Sequence, residues 1–247
     1  MIDDTGDPYG ARRPGRLVAM LIACARRMPH NALGKELAHA LRSLVTAFAP
    51  LPLDLETDGI RMRCWFRDNH SEKKFVFTPW RFDPHEREFI KRVLPREGTF
   101  VDIGANVGIY TLTAAQRLGG SGRVLAIEPN PAMYRRLEFN VVAMRNDADD
   151  WPSIELALVG ISDVAGHIEL HLDESNLGGS SIVAHAAGGR TIEIECRELE
   201  TVLREHGIAQ IDVLKIDIEG AEDRALVPFL ERAPAMQLPR HITHGAL

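Results

Sequence analysis

Three acids that close apolar runs carry the chemistry open to this chain: Asp102, Glu128 and Asp217. Asp102 follows Phe100 and Val101, leads into Gly104, Asn106 and Gly108, and is succeeded by an amphipathic stretch from Ile109 to Leu118. Strand, tight turn and helix in that order open a phosphate- or nucleoside-binding site in an α/β sheet, because small residues let the backbone approach a ligand. Asn106 is the non-glycine type that best tolerates left-handed backbone angles. A dinucleotide site uses G-x-G-x-x-G to seat a pyrophosphate on a helix N-terminus. Here Asn106 and Ile109 hold the second and third glycine positions, which argues against a nicotinamide-dependent oxidoreductase. An acid at the strand end suits a ligand carrying an ammonium group instead, and S-adenosylmethionine is such a ligand.

The next apolar run, Arg123 to Ile127, ends in Glu128. It lies roughly 20 residues past the turn, where a carboxylate accepts both hydroxyls of a ribose. Asn130 is then the N-cap and Pro131 the first residue of a helix reaching to about Val142. The expected cofactor set is Asp102, Gly104, Asn106, Gly108, Glu128 and Pro129.

In the run from Ile211 onward, strand alternation puts Lys215, Asp217 and Glu219 on one side and Ile216 and Ile218 on the other. Ionisable groups at the edge of a buried strand are costly unless paired or used. Methyl transfer from a sulfonium requires an aligned oxygen and an acceptor for one proton. Asp217 is the first candidate for that base and Glu219 the second, with Lys215 able to pair with either and lower its pKa. The structural alternative is a Lys215–Asp217 salt bridge with Glu219 capping the next helix. A metal alternative uses Asp217, Glu219, Glu222 and Asp223 as oxygen ligands. The ten histidines give it no ligand spacing, so no metal is expected.

Phe100-Val-Asp-Ile-Gly-Ala-Asn-Val-Gly108, Ala126-Ile-Glu-Pro-Asn-Pro131 and Lys215-Ile-Asp-Ile-Glu-Gly-Ala-Glu222 resemble the three blocks of the FkbM-type S-adenosylmethionine-dependent methyltransferases, over about residues 57 to 240. The first block is shared by many methyltransferases; the third is the specific one. The resemblance implies a Rossmann-like class I methyltransferase fold and O-methylation of a sugar, glycolipid or polyketide hydroxyl. It also makes Asn176 and Ser180 candidate acceptor contacts. Relatives continue past the segment around Pro239 with a further helix and a hairpin, so the resemblance implies a truncated C-terminal end of the sheet. A homodimer is one way to cover such an edge, and a cofactor-binding scaffold without turnover is the competing function.

The length and 45% hydrophobic content fit one α/β domain (56–247) with a helical N-terminal extension (1–55). A net charge of −6 without a polybasic run argues against a nucleic-acid partner, although Arg12, Arg13, Arg16, Arg26 and Arg27 gather in the extension. Cys24, Cys64 and Cys196 are scattered, which suits a reducing cytoplasm. Leu17 to Ala25 is too short to span a bilayer. Flanking Asp3, Asp4, Asp7, Arg26 and Arg27 argue against export, leaving a packed helix or a weak peripheral membrane contact.

The pattern predicts helices over about 16–28 and 33–48. It predicts a hairpin of Arg61–Arg67 with Lys74–Thr78 across Asp68–Ser71. A helix to Val93 starts at Asp83, with Pro84 at its first position and Glu86 completing a capping box. Ile154–Val159 reads as a core strand, and Gly166–Leu172 with Arg190–Cys196 as an antiparallel insertion. Helices over Glu198–Glu205 and Ala221–Leu230 and a last strand at His241–His244 follow.

Overall fold

The computed structural model describes residues 6–145, 150–173, 176–179, 190–218 and 220–244. Two helices, α1 (Arg16–Arg26) and α2 (Ala32–Phe48), precede a hairpin of β1 (Leu53–Thr57) and β2 (Ile60–Cys64). Helices α3 (His70–Phe77) and α4 (Pro84–Val93) lead into β3 (Thr99–Ile103), α5 (Ile109–Arg117), β4 (Arg123–Ile127), α6 (Pro131–Arg145) and β5 (Ser153–Ala157). A second small sheet holds β6 (Gly160–Ile161), β7 (Gly166–Leu172) and β8 (Arg190–Arg197). The chain returns through α7 (Leu199–Glu205), β9 (Val213–Ile216), α8 (Glu222–Arg232) and β10 (His241–His244).

The main sheet is parallel, in the order β10-β9-β3-β4-β5. Successive strands run outward from β3 in one direction through β4 and β5, then in the other through β9 and β10. Such a reversal opens a crevice at the carboxyl ends of the strands beside it. Alternate side chains of each strand enter different layers. Phe100, Val124, Ala126 and Val213 pack with residues of α4, α5 and α6, whereas Val101, Leu125, Leu214 and Ile216 pack with α7 and α8. The fold is thus α/β and Rossmann-like, and the β7–β8 pair is the expected antiparallel insertion, set apart from the parallel sheet. In the described residues β10 and β5 are the sheet's two edges. No helix among them is long and apolar enough to cross a membrane.

Two local expectations need correction. Residues 74–78 do not pair with Arg61–Arg67; β2 pairs with β1, and His70–Phe77 is helical. Asp58-Gly59 supplies the hairpin turn, both residues having positive φ (51° and 75°). Asn69 starts α3 by accepting a hydrogen bond from the Glu72 amide at 3.0 Å, so a capping signal overrides the apparent alternation. The second correction concerns Asp83. It precedes α4 as expected, but in a left-handed conformation (φ 38°) and without a side-chain cap. Its carboxylate instead accepts from the Tyr110 hydroxyl at 2.9 Å. The extension packs into the main core through Ile22, Ala25, Ala38 and Val45, and β1 crosses the 55/56 boundary.

Candidate active site

The turn after β3 lies against the ends of both neighbouring strands. Gly104 and Ala105 donate to the Ile127 carbonyl at 2.9 and 3.0 Å, and Asp217 donates its amide to the Ile103 carbonyl at 3.0 Å. Gly104 has φ 76°, and a Cβ there would come within 2.0 Å of the Asp217 carbonyl oxygen. No side chain fits between these strands. Asn106 adopts φ 53°, the left-handed angle its residue type tolerates.

Above this turn is a cavity of about 390 Å³. Gly104, Asn106, Glu128, Pro129, Lys215 and Asp217 all line it. Gly108 lies beneath, where a Cβ would meet Leu137 at 2.6 Å. Asp102 is fully buried below the wall: Oδ2 accepts from Thr111 Oγ1 at 2.7 Å and Oδ1 is 3.3 Å from Lys215 Nζ, without hydrogen-bond geometry. The ammonium that faces Asp102 here is therefore the protein's own. Glu219 and Ser180 fall outside the described residues.

Glu128 is held by two backbone amides, Asn106 N at 2.7 Å to Oε2 and Asn130 N at 2.8 Å to Oε1. Burial pushes its carboxyl up to about 7, and the two amides work against that rise. Each oxygen keeps a further lone pair. Lys215 Nζ donates to the Gly104 carbonyl at 2.9 Å, lies 3.9 Å from Asp217 Oδ2 and sits 5.0 Å from the Tyr110 ring centre. The Asp217 side chain is 43% exposed. Crowding still moves its carboxyl above the usual range: burial raises it, Lys215 opposes, and Asp102, Glu222 and Asp83 raise it further.

The sequence did not announce the cover of this cavity. Asn69 Nδ2 donates to Asn106 Oδ1 at 2.8 Å, Asn106 Nδ2 to the Gly178 carbonyl at 3.3 Å, and Asn130 Nδ2 to the Leu177 carbonyl at 3.2 Å. The His70 amide donates to Asn176 Oδ1 at 3.0 Å, so the insertion, α3 and the β3 turn meet over one site. A Cβ on Gly178 would fall 2.4 Å from the side-chain amide nitrogen of Asn106 and 2.7 Å from that of Asn69, so a side chain there would displace the two asparagines. The Asn-x-Gly pattern was the signal available, but its partners lie far away in sequence.

The model of the Methyltransferase FkbM domain matches residues 102–238, more than half of the chain and every described wall of this cavity that follows β3. The chain belongs to the FkbM methyltransferase family. Among its relatives, methyltransferase sdnD of Sordaria araneosa is 28% identical over 158 residues, 52% of this chain and 59% of that protein. The AMB antimetabolite synthetase AmbE of Pseudomonas aeruginosa is 27% identical over 204 residues, 68% of this chain but 9% of that protein. The chain thus spans less than two thirds of either relative's length. The crystal structure of methyltransferase FkbM from Methylobacillus flagellatus aligns with 19% identity and a TM-score of 0.34, covering 68% of this chain and 43% of that one.

Proposed function

We propose that this protein transfers a methyl group from S-adenosylmethionine to a hydroxyl oxygen of a sugar-containing, glycolipid or polyketide-like small molecule. The observation that carries this is the pair of carboxylates flanking the β3 turn in one cavity: Glu128 after β4, fixed by two amides, and Asp217 after β9, reaching solvent. The residues present suit the cofactor. Gly104 lets the β3 turn close against Asp217 at the cavity wall, and Glu128 keeps an acceptor lone pair on each oxygen for a ribose diol.

S-adenosylmethionine, when bound against Glu128, would supply an electrophilic methyl for the acceptor oxygen, with the carbon–sulfur electron pair left on the departing sulfur. Asp217 takes the hydroxyl proton, a task suited by a carboxyl raised above its usual range. Lys215 holds the carboxylates of Asp102 and Asp217 and the Gly104 carbonyl in register. The Asn69–Asn106–Gly178 chain fixes the cover of the site. Glu219 remains the second candidate base on the strand alternation of the sequence.

Single-turnover transfer of labelled methyl to a panel of sugar, glycolipid and polyketide hydroxyls tests this. Asp217→Asn is expected to slow transfer about 100-fold or more while S-adenosylhomocysteine affinity stays within threefold. Undiminished transfer by Asp217→Asn removes Asp217 as the base. Binding without turnover on any acceptor favours the scaffold reading over the enzyme.

A further inference from the structure

A second groove of about 720 Å³ opens beside the cavity, between α2 and α3. Lys35 and Arg42 face it from α2, Lys73 and Lys74 from α3, and Arg81 from just beyond. Five cations line one groove in a chain whose net charge is −6. No carboxylate is among the described residues lining it. Lys35 and Arg42 lie on one face of α2 with His39 between them. Burial and then Arg42 keep the His39 imidazole below its ordinary pKa and so uncharged at neutral pH. Arg42, Lys73 and Lys74 form no ion pair with a described carboxylate. Of the acids around it, Glu36 sits 3.9 Å from Lys35, Asp68 is taken by a two-pronged bond from Arg136, and Asp173 and the buried Glu72 act on Lys73 from outside the groove's lining. Burial and then the Arg42 guanidinium depress the Lys73 ammonium, while Asp68, Asp173 and Glu72 work the other way.

The groove is not isolated from the chemistry. His70 and Lys74, one turn apart on α3, line both it and the cavity that holds Glu128 and Asp217. We propose that this groove binds the phosphate group of an acceptor whose hydroxyl enters the adjoining cavity, so that the substrate class is a phosphorylated alcohol. Clustered Arg and Lys side chains are the usual partners of phosphate, and low-dielectric walls strengthen their field. The hydroxyl half of this inference rests on the methyltransferase function proposed above; the phosphate half does not.

Calorimetric titration of the full chain with inorganic pyrophosphate, in the presence of S-adenosylhomocysteine, tests it. Saturable one-to-one binding is expected, weakened at least tenfold in an Arg42→Gln/Lys73→Gln variant. Both residues line the groove only, so S-adenosylhomocysteine affinity in that variant should stay within twofold, which also reports folding. A Lys35→Gln/Arg81→Gln variant repeats the comparison from the other end. Absent pyrophosphate binding, or binding equal in the variants, overturns the proposal. Pyrophosphate binding without any binding of S-adenosylhomocysteine leaves an anion site and sinks the methyltransferase reading instead. Vesicles of phosphatidylglycerol in phosphatidylcholine separate the two sources of phosphate. Capture that requires Arg42 and Lys73 and yields to pyrophosphate places the phosphate on a lipid headgroup; pyrophosphate binding without capture places it on a soluble ester.

Discussion

Two buried ion pairs sit in different parts of this molecule and are built differently. Arg63 and Asp54, in the β1–β2 hairpin, meet through two hydrogen bonds at 2.7 and 3.0 Å. The guanidinium also donates to the carbonyls of Asp7 and Pro8 at 2.9 and 3.0 Å and lies 4.1 Å above the Phe139 ring. Asp54 accepts further from the amides of Gly10 and Arg12 at 2.8 and 3.0 Å. Lys215 and Asp102, under the cavity, are as deeply buried, but their charged atoms stand 3.3 Å apart and Asp102 Oδ1 accepts no hydrogen bond. A fully satisfied pair locks a hairpin to the chain before it. The looser pair leaves Asp102 Oδ1 without a hydrogen bond behind a wall that Lys215 lines. The first is architecture and the second belongs to the site.

The largest effect should come from breaking the satisfied pair. Arg63→Met leaves Asp54 buried without its cation and is expected to cost about 3–5 kcal/mol in urea unfolding, with cofactor affinity little changed while the protein stays folded. A loss below 1 kcal/mol would make this pair no more structural than the other. Lys215→Met should cost less stability, about 1–3 kcal/mol, because Asp102 retains Thr111 and water from the cavity can reach the gap. Its methyl transfer should fall further than its stability suggests; activity that merely tracks the folded fraction would reduce Lys215 to a structural role.

Glu128→Gln should move stability by no more than about 1 kcal/mol, since it removes a costly charge and one amide acceptor together. S-adenosylhomocysteine affinity should nonetheless drop about 10- to 100-fold, the worth of a charge-assisted hydrogen bond. The smallest effect is on pH. Burial raises the Glu128 carboxyl to about 7, so the folded protein holds its proton as pH falls through that value, and the ionised acceptor is lost below it. Cofactor affinity should therefore weaken by up to about tenfold per pH unit below about 7 in the parent chain and stay flat in Glu128→Gln. Parallel pH profiles for the two proteins would remove Glu128 from cofactor recognition.

Much of the parallel sheet and the turn after β3 was legible because both are local patterns: apolar runs ending in Asp102 and Glu128, small residues between, and Pro131 opening a helix. Alternation likewise brought Lys215 and Asp217 to one side. Depth was not legible. An acid at a strand end reads alike whether it faces a ligand or, as with Asp102, a lysine 113 positions away. The cover over the site was hidden for the same reason, since Asn69, Asn106, Asn130 and Gly178 meet only after folding. The Asp58-Gly59 turn was a local signal that the stronger-looking alternation at residues 61–67 obscured.

Calorimetric titration with S-adenosylhomocysteine, run on the parent chain and on Glu128→Gln with NADH as a control ligand, tests the central claim most directly. The account predicts one-to-one binding in the micromolar range, on the order of −8 kcal/mol, at least tenfold weaker in the variant and absent for NADH. A folded parent chain that fails to bind S-adenosylhomocysteine, or a variant that binds it equally well, would contradict it.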